Sequence, residues 1–208
     1  MQAQWLHKSP DAPGTRLIVF CNGWGMDAQA VAHFPPPQAD LLMLYDYRDA
    51  TPPRLDLTPY ARCELLAWSL GVHMSAALPW EFHHAVAVNG TPRPVDDAFG
   101  IPCRVYALTE QRFSAASCHK FLRRAGIDPA LCGRSPEALK AELAAVRAFV
   151  PAQTRRFDAA LIASDDLIFP TRNQRAYWDT QAHTRQRPIA APHYPFAHFT
   201  SWDAVLHG

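Results

Sequence analysis

No stretch of this 208-residue chain approaches the roughly 20 consecutive apolar residues that a bilayer-crossing helix needs. The opening MQAQWLHKSPDAPGTRLIVF holds no apolar run of signal-peptide length after its lysine, so no secretion leader is expected. Paired cysteine spacing is missing as well. Cys21, Cys63, Cys103, Cys118 and Cys132 are scattered, odd in number and never spaced as CxxC, which argues against a disulfide frame or a zinc site. A cytoplasmic protein with reduced thiols is expected. Charge of one sign is equally scarce: 20 Lys and Arg stand against 19 Asp and Glu, a balance unlike that of a dedicated nucleic-acid binder. The sequence has no internal repeat and no linker long enough to separate domains, so residues 1–208 read as one domain.

What is present is a chain with 49% apolar and 19% charged residues, suited to a globular core. Short apolar runs recur with turn chemistry between them: RLIVFC (16–21), LLMLYDY (41–47), CELLAWS (63–69), HAVAVNG (84–90), CRVYAL (103–108) and FDAALIAS (157–164). Continuous apolar runs of this length suit strands buried on both faces of a parallel sheet. Helix-compatible segments such as 70–79 lie between them, so a doubly wound α/β sheet is predicted.

The stretch from about 110 to 152 differs. RFSAASCHKFLRRAG reads as a helix closed by a glycine. SPEALKAELAAVRAFV reads as another, with Ser135 as N-cap, Pro136 in the first helical position and Leu139, Leu143, Val146 and Val150 as its apolar stripe. Lying between two strand candidates, the pair is expected to form a helical cap inserted into the sheet. Residues 110–156 carry a net charge of +5 and the remainder −4, an excess that reads either as an anion-binding face or as no more than the solvated side of helices.

Ala67-Trp68-Ser69-Leu70-Gly71 lies where a strand gives way to a helix. Such a turn holds a nucleophilic serine out of the backbone, and it needs small residues two before and two after. A serine hydroxyl requires a base, and the base requires an acid to fix its tautomer. The acid is expected after FDAALIAS, where Asp165 and Asp166 are adjacent, and the base near the C-terminus, where APHYPFAHF offers His193 and His198. The NGWG turn after the first strong strand would bring the Trp24 N–H, with the Leu70 N–H, to the developing oxyanion. A metal-dependent reading from His83, His84, His193 and Asp165 is weakest, because no ligand spacing such as HExxH occurs.

From about residue 17 to the C-terminus, the segments NGWGMD, YDYRD, AWSLGV, AVNGTPRPVDDAFGIP, DDLIFPTRNQRAYW and PHYPFAHFTSW together resemble the BioG-type pimeloyl-[acyl-carrier-protein] methyl ester esterases, small α/β-hydrolases of biotin synthesis. The resemblance implies Ser69 as nucleophile, Asp166 as the acid three residues before the phenylalanine of its DxIF motif, and His193 of the HY motif as base. It implies hydrolysis of the pimeloyl methyl ester on acyl carrier protein, with no metal or organic cofactor. The acidic carrier would meet the basic insert, most directly at Arg123 and Arg124. Two rival expectations are a general carboxylesterase or thioesterase acting on small soluble esters, and a non-catalytic binding protein with a hydrolase fold.

Overall fold

The computed structural model describes residues 1–10 and 14–208. Its centre is a seven-stranded sheet in the order β1-β3-β2-β4-β5-β6-β7, formed by β1 (Gln2–His7), β2 (Arg16–Cys21), β3 (Asp40–Tyr45), β4 (Arg62–Trp68), β5 (His84–Val88), β6 (Ala159–Asp165) and β7 (Arg185–Pro192). Only β1 runs antiparallel, against β3. The remaining pairs are parallel. The apolar runs explain this core: Leu17 to Cys21 and Leu65 to Ala67 have no exposed surface, as strands covered on both faces require. β1 was not expected. Its residues QAQWLH are mostly exposed, so an edge strand of this kind carries little hydrophobic signal.

Chain order and sheet order diverge once. The chain steps from β2 out to β3, then passes back over β2 to β4 and continues the other way. The loops after β2 and β4 therefore diverge at the carboxyl end of the sheet, opening the crevice where such folds bind ligands.

Residues 70–79 split into α1 (Leu70–Met74) and one 3-10 turn, Ser75–Ala77. Leu78 is extended, as a residue before proline prefers to be. Three helices, α2 (Cys103–Gln111), α3 (Ala115–Ala125) and α4 (Pro136–Ala148), come between β5 and β6. α3 begins in a capping box between Ser114 and Ser117 and ends at Gly126, whose φ of 80° suits a residue without Cβ. α4 has Ser135 as N-cap and Pro136 in its first turn, and Leu139, Leu143 and Val146 face inward. Two expectations need correction here. Val150 lies beyond the end of α4 and is 84% exposed, so it is no part of the stripe. CRVYAL is a helix, not a strand. Pro102 precedes it, Asp97 Oδ1 accepts the Cys103 N–H at 2.9 Å, and within α2 only Tyr106 is fully buried. The helical segment accordingly starts at 103, ahead of the expected 110. α5 (Thr171–Asp179) follows β6, and α6 (Trp202–His207) closes the chain. Among the described residues no helix is long and apolar enough to cross a membrane.

Candidate active site

Ser69 follows the last residue of β4 with φ of 56° and ψ of −124°, a conformation rarely adopted by residues other than glycine. The structure around it holds the strain. The Ser69 N–H donates to the Val88 carbonyl at 2.9 Å, and α1 starts at once. A Cβ on Gly71 would collide with the backbone carbonyls of Cys21 and Asn22, so the small residue after the serine is obligatory. The methyl group of Ala67 is accommodated in full burial.

His193, just past β7, is 2% exposed. Its Nε2 lies 2.9 Å from Ser69 Oγ and its Nδ1 lies 2.8 Å from Asp166 Oδ2. With the imidazole proton on Nδ1, the ring donates to the carboxylate and Nε2 is left to accept the serine hydroxyl. The His193 carbonyl is held by the Trp68 indole N–H at 3.0 Å and the Asn89 amide at 2.9 Å, which fixes the histidine's place in the chain. Asp166 Oδ1 accepts the Ile168 and Phe169 N–H groups at 2.9 and 2.8 Å, turning the carboxyl inward. Its neighbour Asp165 ends β6, is exposed, and among the described residues its carboxylate accepts the Ser164 hydroxyl alone. His198 is also exposed. The geometry thus separates the two adjacent aspartates and the two nearby histidines: Asp166 and His193 meet Ser69, and Asp165 and His198 do not.

An apolar cleft opens at the serine. Trp24, Leu70, Val105, Tyr106, Phe121, Leu143 and Ile168 line it alongside Ser69 and His193. Leu70 is the first residue of α1, where an N–H has no acceptor one turn earlier. Trp24 is held from the insert: its indole donates to the Leu139 carbonyl of α4 at 2.9 Å and stands edge-on to Phe121 and Phe113. α4 is fastened to the end of β3 by the buried Glu142, which accepts the Tyr47 N–H at 2.8 Å and pairs with Arg134 at 2.6 Å. Burial pushes the Glu142 carboxyl above its ordinary pKa, with the Arg134 charge opposing. His73 on α1 is buried between the carbonyls of Pro92 and Phe149, and burial lowers its pKa.

The basic insert is less basic outwardly than its composition implies. Arg134 is spent on Asp46 and Glu142, Arg147 on Glu110, and Arg155 on the carbonyls of Trp80 and Leu78. Arg112, Lys120, Arg123, Arg124 and Lys140 remain exposed. Of the pair at the end of α3, Arg124 lines the cleft and donates to the Leu167 carbonyl at 2.9 Å, whereas Arg123 does not line it. Among the described residues no three His, Cys, Asp or Glu side chains gather as metal ligands. Sequence reasoning missed Trp68, Asn89 and Gln174, which brace the histidine and the acid. Their only signal was membership of the unusual segments AWSLGV, AVNGTPRP and NQRAYW.

Comparison with known proteins gives the following. Residues 1–205 match the family model described as "Pimeloyl-ACP methyl esterase BioG". A Haemophilus influenzae protein is 34% identical over 210 residues, covering 94% of this chain and 96% of its own length. The crystal structure of BioG from Haemophilus influenzae superposes with a TM-score of 0.86 at 32% identity, over 99% of this chain and all (100%) of that one. A lipase-esterase related protein from Clostridium acetobutylicum, 10% identical with a TM-score of 0.66 over 92% of each chain, shares the fold alone. With these neighbours, the mostly parallel sheet and its helices are an α/β-hydrolase fold.

One relative overturns an expectation. The Malonyl-[acyl-carrier protein] O-methyltransferase of Bacteroides fragilis is 34% identical over 198 residues. The match covers 85% of this chain, which spans only 39% of that protein's length. Its name states methyl transfer on a carrier-bound acyl group, not ester cleavage. The specific expectation of pimeloyl-carrier methyl ester hydrolysis is corrected on that ground.

Proposed function

The chain belongs to the BioG family, and from that premise we propose that it is a serine hydrolase of carboxylic esters acting on an acyl chain borne by an acyl carrier protein, in a biotin-related role. The observation that carries the reading is the relay of 2.9 and 2.8 Å from Ser69 through His193 to Asp166, at the mouth of an apolar cleft. Such a relay suits acyl substitution. His193 Nε2 takes the hydroxyl proton as Ser69 Oγ attacks the ester carbonyl, and Asp166 steadies the imidazolium that forms. The Trp24 and Leu70 N–H groups receive the oxyanion. His193 returns the proton to the departing alcohol. Water then attacks the acyl carbonyl as the same imidazole takes its proton, and the imidazolium passes that proton to Ser69 Oγ as the acid leaves.

The apolar walls suit a hydrocarbon chain, and the exposed basic residues of the insert suit an acidic carrier. Arg124, at the cleft, and Arg123 beside it are the proposed contacts. The test has two parts. A fluorophosphonate probe should form one adduct, found by peptide mass spectrometry on Ser69. An ester-terminated acyl chain should be cleaved with higher kcat/KM when loaded on the carrier than when free. No adduct on Ser69 would end the serine-hydrolase reading, and equal rates on both substrates would remove the carrier from it.

A further inference from the structure

The segment NQRAYW lies on α5, outside the relay, yet its glutamine reaches the relay's acid. Gln174 has no exposed surface. Its Nε2 donates to Asp166 Oδ2 at 2.9 Å and to the Phe169 carbonyl at 2.7 Å. Both neighbours are acceptors only, so the amide can face them in one sense, nitrogen inward. Its Oε1 is left buried without a partner. A buried polar atom without a partner is unfavourable, and the side chain sits this way nonetheless. Asp166 Oδ2 is the same oxygen that receives the His193 Nδ1–H at 2.8 Å.

We infer that Gln174 is a positioning residue for the relay. It rests on the proposed hydrolase reading and acts through Asp166. The two backbone N–H groups of Ile168 and Phe169 fix Oδ1, and Gln174 fixes the other oxygen, so the carboxylate cannot rotate about its own axis. The lone pair that meets His193 is then aimed before substrate arrives, which is how a supporting shell makes a site rigid. The rest of the segment secures the surroundings: Asn173 Nδ2 donates to the carbonyls of Asp97 and Gly100, and the Trp178 indole to that of Gly90.

The test compares Gln174→Leu with Gln174→Glu. Leucine keeps the volume and cannot donate; kcat should fall about tenfold to a hundredfold, the range for losing a hydrogen bond to a charged group, with KM little changed. Glutamate can donate in place of the amide only while protonated. With one proton to give where the amide gives two, its activity relative to wild type should be highest at low pH and collapse as the introduced carboxyl ionises against Asp166, giving a falling limb that wild type lacks. Unchanged kcat in a folded Gln174→Leu variant, or a Gln174→Glu profile parallel to wild type, would overturn the proposal. A second readout does not depend on hydrolysis. The low-field proton NMR signal of His193 Nδ1–H should shift or broaden in Gln174→Leu, and an unmoved signal would refute the positioning role even if wild type cleaved no ester.

Discussion

The two ends of the sheet are built on opposite plans. At the carboxyl end, Asp46, Ser69 and Asn89 stand directly after β3, β4 and β5, and all three have positive φ, between 46° and 56°. No other non-glycine residue among those described does so. Two of them work by hydrogen bonding: Ser69 to His193, and Asn89 to the carbonyl of His193 and the N–H of Ala163. The third, Asp46, is ion-paired with Arg48 and Arg134. At the amino end no described residue but glycine has positive φ, and ionic contacts converge on one buried carboxylate. Glu64, with no exposed surface, is gripped by Arg16 at 2.6 Å, Arg62 at 2.8 Å and His207 at 3.1 Å, and Arg16 also holds Asp203 of α6 at 2.6 Å. One end stores strain to present chemical groups. The other clamps the C-terminal helix to the strands. On the proposed hydrolase reading, catalytic power and global stability have separate addresses, and substitutions at the two ends should trade places in their effects.

The largest effect should come from the strained end. Ser69→Ala is expected to lower ester cleavage on the order of 10⁴-fold or more, with a melting temperature close to wild type. Asp166→Asn and His193→Ala should follow closely, while Asp165→Asn and His198→Ala stay within a few-fold. Assays and melting curves on the five variants test this together; an indispensable Asp165 or His198 would break the comparison at its sharper end.

At the clamped end the reverse is expected. Glu64→Gln should cost about 2–4 kcal/mol in denaturant unfolding with kcat unchanged, below the full penalty of a buried pair because Arg16 and Arg62 reach solvent. Burial opposes the Glu64 carboxylate, but hydrogen bonds from Arg62 and Arg16 outweigh it and hold its pKa below the ordinary value. A depressed pKa stabilises the fold above the unfolded carboxyl value of about 4.3 and withdraws that stability as pH falls through the folded value. Wild type should thus lose stability below about pH 4 more steeply than Glu64→Gln. Parallel curves would show the clamp to be inert.

The smallest effect concerns the rim. Reversing Arg124 to glutamate should lower kcat/KM for a carrier-borne ester about three- to tenfold, more than the same change at Arg123, and the loss should shrink as salt rises. A small ester such as p-nitrophenyl acetate should be cleaved nearly as before.

Much of this was legible where the signal was local. The buried run LIVFC, the Ser135-Pro136 start of α4 and the Gly126 stop of α3 each state their structure within a few residues. The turn at Ser69 was legible too, because its steric demand falls on Gly71. What escaped depended on distant partners. CRVYAL carries strand-like residues, but Asp97 caps it into a helix and the sheet gives it no place. Which aspartate turns inward is decided by the N–H groups of Ile168 and Phe169, and local residue types alone treat the two alike. Gln174 was unreadable by composition, since its worth lies in one oxygen contributed by another loop.

The tie between Trp24 and α4 has a consequence for inheritance. The indole grips a main-chain carbonyl, which every residue type at position 139 would supply. Sequence drift in the insert leaves that grip intact. Loss of a single residue from 136–138, the first turn of α4, would instead turn position 139 by about 100° about the helix axis and carry the carbonyl off the indole. This stretch should therefore tolerate replacement and reject changes of length, a contrast that a deletion scan set beside a substitution scan, read by esterase activity, would display. A chimera that borrows a relative's insert must preserve how many residues of α4 precede position 139 before it preserves which ones they are.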